Sequence, residues 1–90
     1  MERKRNKADI VNDMLRIIRE NGDKVKKTHL MYKANLSHKQ MESYLSELMK
    51  NNLIEKNTSE KKYFIKVTKK GSDFLIRYTQ VKEFEKTFGL

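Results

Sequence analysis

The chain has no cysteine and no proline, only three glycines, few aromatic residues and no long apolar run. Without cysteine there can be no disulfide, no thiolate nucleophile and no cysteine-ligated zinc, which suits a reducing compartment. Without proline nothing forces a helix to stop, and there is no proline-rich linker. Gly22, Gly71 and Gly89 are isolated from one another, so no glycine-rich loop of the phosphate-cradling kind exists. No stretch approaches the roughly 20 apolar residues of a spanning helix and nothing resembles a targeting segment, so the expected location is cytoplasmic. Acidic residues are also in short supply: 21 Lys and Arg stand against 12 Asp and Glu, a formal charge of +9. A polyanion is the default partner of such a chain.

What is present fits one small domain of 90 residues. Chains of this size bury only about 60 to 65% of their unfolded surface, so support from a second chain is reasonable. Residues 1–7 carry Arg3, Lys4, Arg5 and Lys7 against Glu2 alone and read as a solvated basic arm. From there Ile10, Val11, Met14, Leu15, Ile17 and Ile18 recur at spacings of three and four, predicting a helix over about 7–20 that Asn21 and Gly22 stop. Thr28 is expected to cap a short second helix carrying Leu30, Met31 and Ala34. Asn35 tolerates the left-handed conformation that ends a helix, and Ser37 is suited to cap the next. In that third helix Met41, Leu45 and Leu48 share one face. Asn51 and Asn52 end it, after which the period changes to that of strands at 53–56 and 62–67, with residues 57–61 as the turn. Thr68 is expected to cap a last helix in which Phe74, Tyr78, Val81, Phe84 and Phe88 recur at spacings of 4, 3, 3 and 4. A small core cannot cover so long a stripe, and a second copy of the chain is the simplest cover.

Three helices, a β-hairpin and a final helix, with a tight turn between the second and third, are the element order of a winged helix-turn-helix. The expected fold is therefore α+β and mainly helical: a basic arm at 1–7, the winged domain at 8–67, and a long C-terminal dimerisation helix at 68–90. In this arrangement the third helix enters the major groove and the hairpin wing lies on the backbone beside it.

The run from Thr28 to Ser37, containing MYKANLS, resembles a known family. So do its spacing to Tyr44, Leu45 and Leu48, then Asn52-Leu53-Ile54-Glu55, and Thr68-Lys69-Lys70-Gly71 followed by Phe74-Leu75. Together they are similar to the small archaeal winged-helix DNA-binding proteins, which include dimeric regulators and chromatin-associated proteins. The resemblance covers residues 8–80 and implies DNA binding, a nucleoid-associated location and a last helix paired with its copy as an antiparallel coiled coil. One departure is that Ile65 stands where the family often has an aromatic, with Tyr63 two residues earlier.

On the third helix, Ser37, His38, Lys39, Gln40 and Ser43 are the candidates for reading bases. Gln can pair with adenine in two places, Lys donates to guanine, and Ser and His serve base or phosphate. Lys26, Lys27 and Thr28 at the start of the second helix, and Lys56, Lys61 and Lys62 on the wing, are candidates for phosphate. Glu42 and Glu47 oppose a close approach of the later turns. Phe74, Tyr78, Val81, Phe84 and Phe88 are expected at the dimer interface. The enzyme alternative is poorly served: His38 and Glu42, four apart, lack a third ligand for a metal, and no cofactor or small-molecule ligand is expected. A protein-interaction module would suit a positive charge kept away from the third helix, but lysines lie both there and on the wing. Between a specific regulator and an architectural protein with weak sequence preference, the pattern does not choose.

Overall fold

The computed structural model describes residues 4–59 and 62–90, with side chains at 4–58 and 64–90. The elements run α1 (Lys7–Glu20), α2 (Lys27–Lys33), α3 (His38–Lys50), β1 (Ile54–Ser59), β2 (Lys62–Val67) and α4 (Lys69–Thr87). This is the winged helix arrangement, mainly helical, with one antiparallel hairpin and the long final helix.

Helix α1 begins at Asn6, whose side chain accepts from the Asp9 amide at 2.8 Å while Asp9 accepts from the Asn6 amide at 3.1 Å. This reciprocal capping box satisfies two backbone donors that a helix start otherwise leaves free. The apolar spacing then turns Met14, Leu15 and Ile18 fully inward, where each contributes about 1.5–3 kcal/mol by burial. Leu30 and Ala34 of the second helical segment, Met41, Leu45 and Leu48 of α3, and Ile54, Ile65 and Val67 of the hairpin complete one core.

All four helices end alike. Gly22, Asn35, Asn52 and Gly89 have φ of +68°, +56°, +61° and +71°. In each case the following amide reaches back to the carbonyl five residues earlier: Asp23 to Ile18, Leu36 to Met31, Leu53 to Leu48 and Leu90 to Glu85. This is the Schellman closure, which satisfies carbonyls left open at a helix end and requires a residue that tolerates the left-handed region. At Asn35 it fixes the turn between α2 and α3, and Leu36 behind it is buried.

Three local expectations are corrected. Thr28 does not cap α2: the N-cap is Lys26, which makes no side-chain cap hydrogen bond. The reason lies outside the helix, because Val25 is held in a β-bridge to Ile65, with the Ile65 amide donating to the Val25 carbonyl at 3.0 Å. The chain leaves that bridge directly into α2. Second, the polar residues 57–59, expected in the turn, continue β1: Asn57 pairs with Phe64, Thr58 with Tyr63 and Ser59 with Lys62. Third, Arg5 is not a solvated residue. Its guanidinium donates to the Ala34 carbonyl at 2.8 Å and the Asn35 carbonyl at 3.1 Å, and pairs with Asp13 at 3.1 Å. Arg5 thereby ties the α2–α3 turn to α1.

The root of α4 is packed tightly. Thr68 caps the helix by accepting from the Gly71 amide at 3.1 Å, and its hydroxyl donates to the Asn52 carbonyl at 2.5 Å. A methyl group at Gly71 would overlap the Leu53 carbonyl oxygen and come within 2.7 Å of Val67 Cγ1. Only glycine fits there. Beyond this root α4 runs antiparallel to α1, with Arg19 donating to Ser72 at 3.2 Å near one end and Tyr78 donating to Asp9 near the other. Its last turns extend past the core, and the molecule measures 49 × 27 × 22 Å.

Candidate nucleic-acid interface

Helix α3 is fixed by Met41, Leu45 and Leu48, all buried, so its opposite face is committed to solvent. Ser37, His38, Lys39, Gln40 and Ser43 are all exposed on its first two turns, followed by Ser46 and Lys50. Of the five base-reading candidates, Lys39 and Ser43 lie opposite the buried stripe, with His38 and Gln40 on its two flanks and Ser37 at the cap. Two of them are also engaged with each other: the Ser37 hydroxyl accepts from the Gln40 amide at 3.1 Å, and the Gln40 side-chain oxygen accepts from the Ser37 amide at 2.9 Å. This second capping box is legible in the sequence as the spacing S-x-x-Q. It uses one of the two lone pairs of the Gln40 side-chain oxygen, and two-point recognition of adenine would share that oxygen with the cap.

The two glutamates that oppose DNA approach are both paired. Glu42 bonds Lys27, and Glu47 bonds Lys7. Lys27, expected on phosphate, is therefore spent on neutralising the flank of α3. Lys26, Lys33, Lys39 and Lys50 make no ion pair among the described residues, and Thr28 is exposed. On the wing, Lys56 is exposed on β1. Lys61 lies outside the described residues, as do Arg3 of the arm and the side chain of Lys62.

The bridge between Val25 and Ile65 brings together residues that sequence spacing could not connect. Lys24, Lys26 and His29 line a shallow groove with Asn21 and Phe64, so the start of α2 and the second strand of the wing share one basic margin. Tyr32, at the end of α2, is 87% exposed, the most open large apolar side chain among the described residues. Neither Lys24 nor Tyr32 carries a local signal of this placement, since it depends on how α2 sits against the hairpin. Among the described residues no three His, Asp or Glu side chains gather as a metal would need. No described helix is long and apolar enough to cross a membrane.

The five candidates on α4 divide. Phe74 and Tyr78 are half-buried, their rings 6.1 Å apart, and Tyr78 bonds Asp9 of the same chain. Val81, Phe84 and Phe88 are 53%, 59% and 65% exposed. Lys82 lies 3.5 Å from Asp9 and 5.4 Å above the Tyr78 ring. Asp9 has its pKa lowered from 3.8, first by the Tyr78 hydroxyl, then by the Asn6 amide and by Lys82, all of which favour the carboxylate.

A family model described as winged helix-turn-helix matches residues 4–86. No curated protein gives a significant match. Among solved structures, the chain is similar to Sso10a-2, a DNA-binding protein from Sulfolobus solfataricus. The TM-score is 0.74 at 20% identity, covering 93% of this chain and 85% of that one. At that identity the likeness is one of fold.

Proposed function

The chain belongs to the winged helix-turn-helix family, and from that premise we propose that it binds double-stranded DNA as a homodimer and acts as a transcriptional regulator. Helix α3 enters the major groove by its first two turns, while the wing and the start of α2 lie on the flanking phosphates. The observation that carries this reading is the exposed polar face Ser37–Ser43, set on a buried stripe and cleared of net negative charge by the pairs Lys27–Glu42 and Lys7–Glu47. Lys39, His38 and Ser43 reach bases from this face, with Gln40 as a donor. Lys26, Thr28, Lys56, Lys61 and Lys62 hold the backbone. The exposed Val81, Phe84 and Phe88 meet a second copy, which sets the distance between the two recognition helices. The working location is the nucleoid.

A second reading draws on the capped state of Gln40. With Gln40 held in the cap by one hydrogen bond, the face offers mainly lysine and hydroxyl contacts, which suits an architectural protein of weak sequence preference that coats or bridges duplexes. Selection of bound duplexes from a random pool, at about physiological salt near 0.15 M, separates the two. A two-part motif with halves about one helical turn, or a multiple, apart is the outcome expected of a dimeric regulator. Retention without any enriched motif would favour the architectural protein. No retention at low salt would sink DNA binding altogether and direct attention to a protein partner.

A further inference from the structure

Helix α3 is bounded by two residues in the left-handed region, Asn35 before it and Asn52 after it. The Schellman closure satisfies earlier carbonyls of the preceding turn, and among the described residues no backbone amide reaches the carbonyl of Asn35 or of Asn52. Side chains from outside the helix fill both places. Arg5, ahead of α1, donates to the Asn35 carbonyl at 3.1 Å and to the Ala34 carbonyl at 2.8 Å, while Thr68, at the root of α4, donates to the Asn52 carbonyl at 2.5 Å. Helix α3 is thereby pinned at both ends.

The two pins differ in kind. Thr68 is also the N-cap of α4 and belongs to the tight root around Gly71, so packing sets its place. Arg5 is placed by polar contacts: its guanidinium spans the two carbonyls and the Asp13 carboxylate on α1, 3.1 Å away, and Arg16 steadies Asp13 from one turn further on, at 3.5 Å. A guanidinium carries five donors in a rigid plane and can serve three acceptors at once, whereas an ammonium on a flexible stem is a point charge that fixes no direction. A cation here also meets the negative end of the α2 dipole.

Between the pins α3 has 13 residues, a length of about 20 Å. With the Asn52 end held by the packed root, a shift of the turn at Asn35 moves the first two turns most, and these carry Ser37, His38, Lys39, Gln40 and Ser43. Groups that recognise a ligand have to be held within about 0.5 Å of their working places. We propose that Arg5 is a positioning residue for DNA recognition: it touches neither base nor phosphate, and fixes the tilt of α3 by bridging the α2–α3 turn to α1. This rests on the DNA binding proposed above and names a residue outside the reading face on which that binding depends. Arg5 then contributes through the shape of the reading surface and not through its charge.

A variant that keeps the charge separates the two roles. Binding of duplex DNA by the full-length parent, Arg5→Lys and Arg5→Ala is measured over a range of salt, at a temperature where circular dichroism shows each to be folded. Loss of the planar bridge is expected to weaken binding by both variants, by roughly tenfold at every salt concentration. The slope of log K against log salt should stay unchanged, because no phosphate contact is lost. The Leu36 amide, which closes the turn onto the Met31 carbonyl, should exchange with solvent faster in both. Asp13→Asn removes one side of the bridge and should give a smaller loss of the same kind; it serves where the Arg5 variants do not fold, and parent-like binding by it then counts against the bridge. Parent-like binding by Arg5→Lys, with about 0.9 lost from the slope in Arg5→Ala, would make Arg5 a phosphate contact and overturn the proposal. So would parent-like binding by both variants. A parent protein that retains no duplex at low salt would instead remove DNA binding itself, and this proposal with it.

Discussion

Gln40 stands at the meeting of stability and recognition. Its side chain closes a capping box with Ser37 and is exposed on the first turn of the helix proposed to read DNA. Gln40→Glu keeps the box, since glutamate is equally suited to that position and favoured near a helix N-terminus. It also removes the donors and adds a negative charge. Denaturant stability is expected to be unchanged or slightly raised, while DNA affinity falls by roughly tenfold, about 1.4 kcal/mol. Gln40→Ala should reverse the emphasis, with a loss of about 0.5–1 kcal/mol in stability and a smaller effect on affinity. If both variants bind like the parent, Gln40 is a capping residue and no more. Asn35 offers a second separation. Its φ of +56° disfavours any side chain but a short polar one, so Asn35→Ala should cost about 1–2 kcal/mol in urea unfolding and Asn35→Gly very little.

At the scale of elements, the contact that orders α4 against α1 is the cluster of Asp9, Tyr78, Asn6 and Lys82. The folded-state pKa of Asp9 is depressed below 3.8. Its contribution to stability is therefore complete above that value and is lost as pH falls through the folded pKa. The stability gap between the parent and Asp9→Asn should be constant near neutrality and close below pH 3.8, as followed by urea unfolding at a series of pH values. Tyr78→Phe should move the carboxyl titration of Asp9 upward in NMR, because the largest cause of the depression is gone. These elements also show where sequence is and is not informative. The first three helices are legible at their C-terminal ends because their apolar spacing is closed by Asn-Gly, Asn or Asn-Asn, residues that a left-handed helix end selects. The wing is longer than its apolar pattern at 57–59 because backbone pairing across a hairpin does not need apolar side chains. The cap of α2 departs from the local signal at Thr28 because a bridge to Ile65, forty residues from Val25, decides where the helix starts. Arg5 reads as part of a solvated arm because its partners, Ala34 and Asn35, are distant in sequence. In the last two of these places a tertiary contact overrides the local pattern.

For the whole molecule, charge and shape give separable expectations. The net charge of +9 will make binding to any duplex strongly dependent on salt. Replacing Lys39 by Ala should reduce the slope of log K against log salt by roughly 0.9 if that lysine neutralises one phosphate. An unchanged slope accompanied by changed sequence preference would place Lys39 on a base instead. Val81→Asp, on the exposed face of α4, should yield a monomer in sedimentation and weaken DNA binding, because only one half-site can then be held at a time. A variant that remains dimeric would show that the copies meet elsewhere.

The glycine at the root of α4 gives this helix the mechanics of a lever. Gly71 rests on the carbonyl of Leu53, at the entrance to the wing, and Phe88 lies seventeen residues further on, about 25 Å along the axis. Any displacement that a methyl group forces at the near end is carried along that length to the surface where another copy would be met. In a dimer built on α4, the pitch at which two DNA-reading helices are presented would then be calibrated by the clearance at one backbone contact, far from both the nucleic acid and the axis of symmetry.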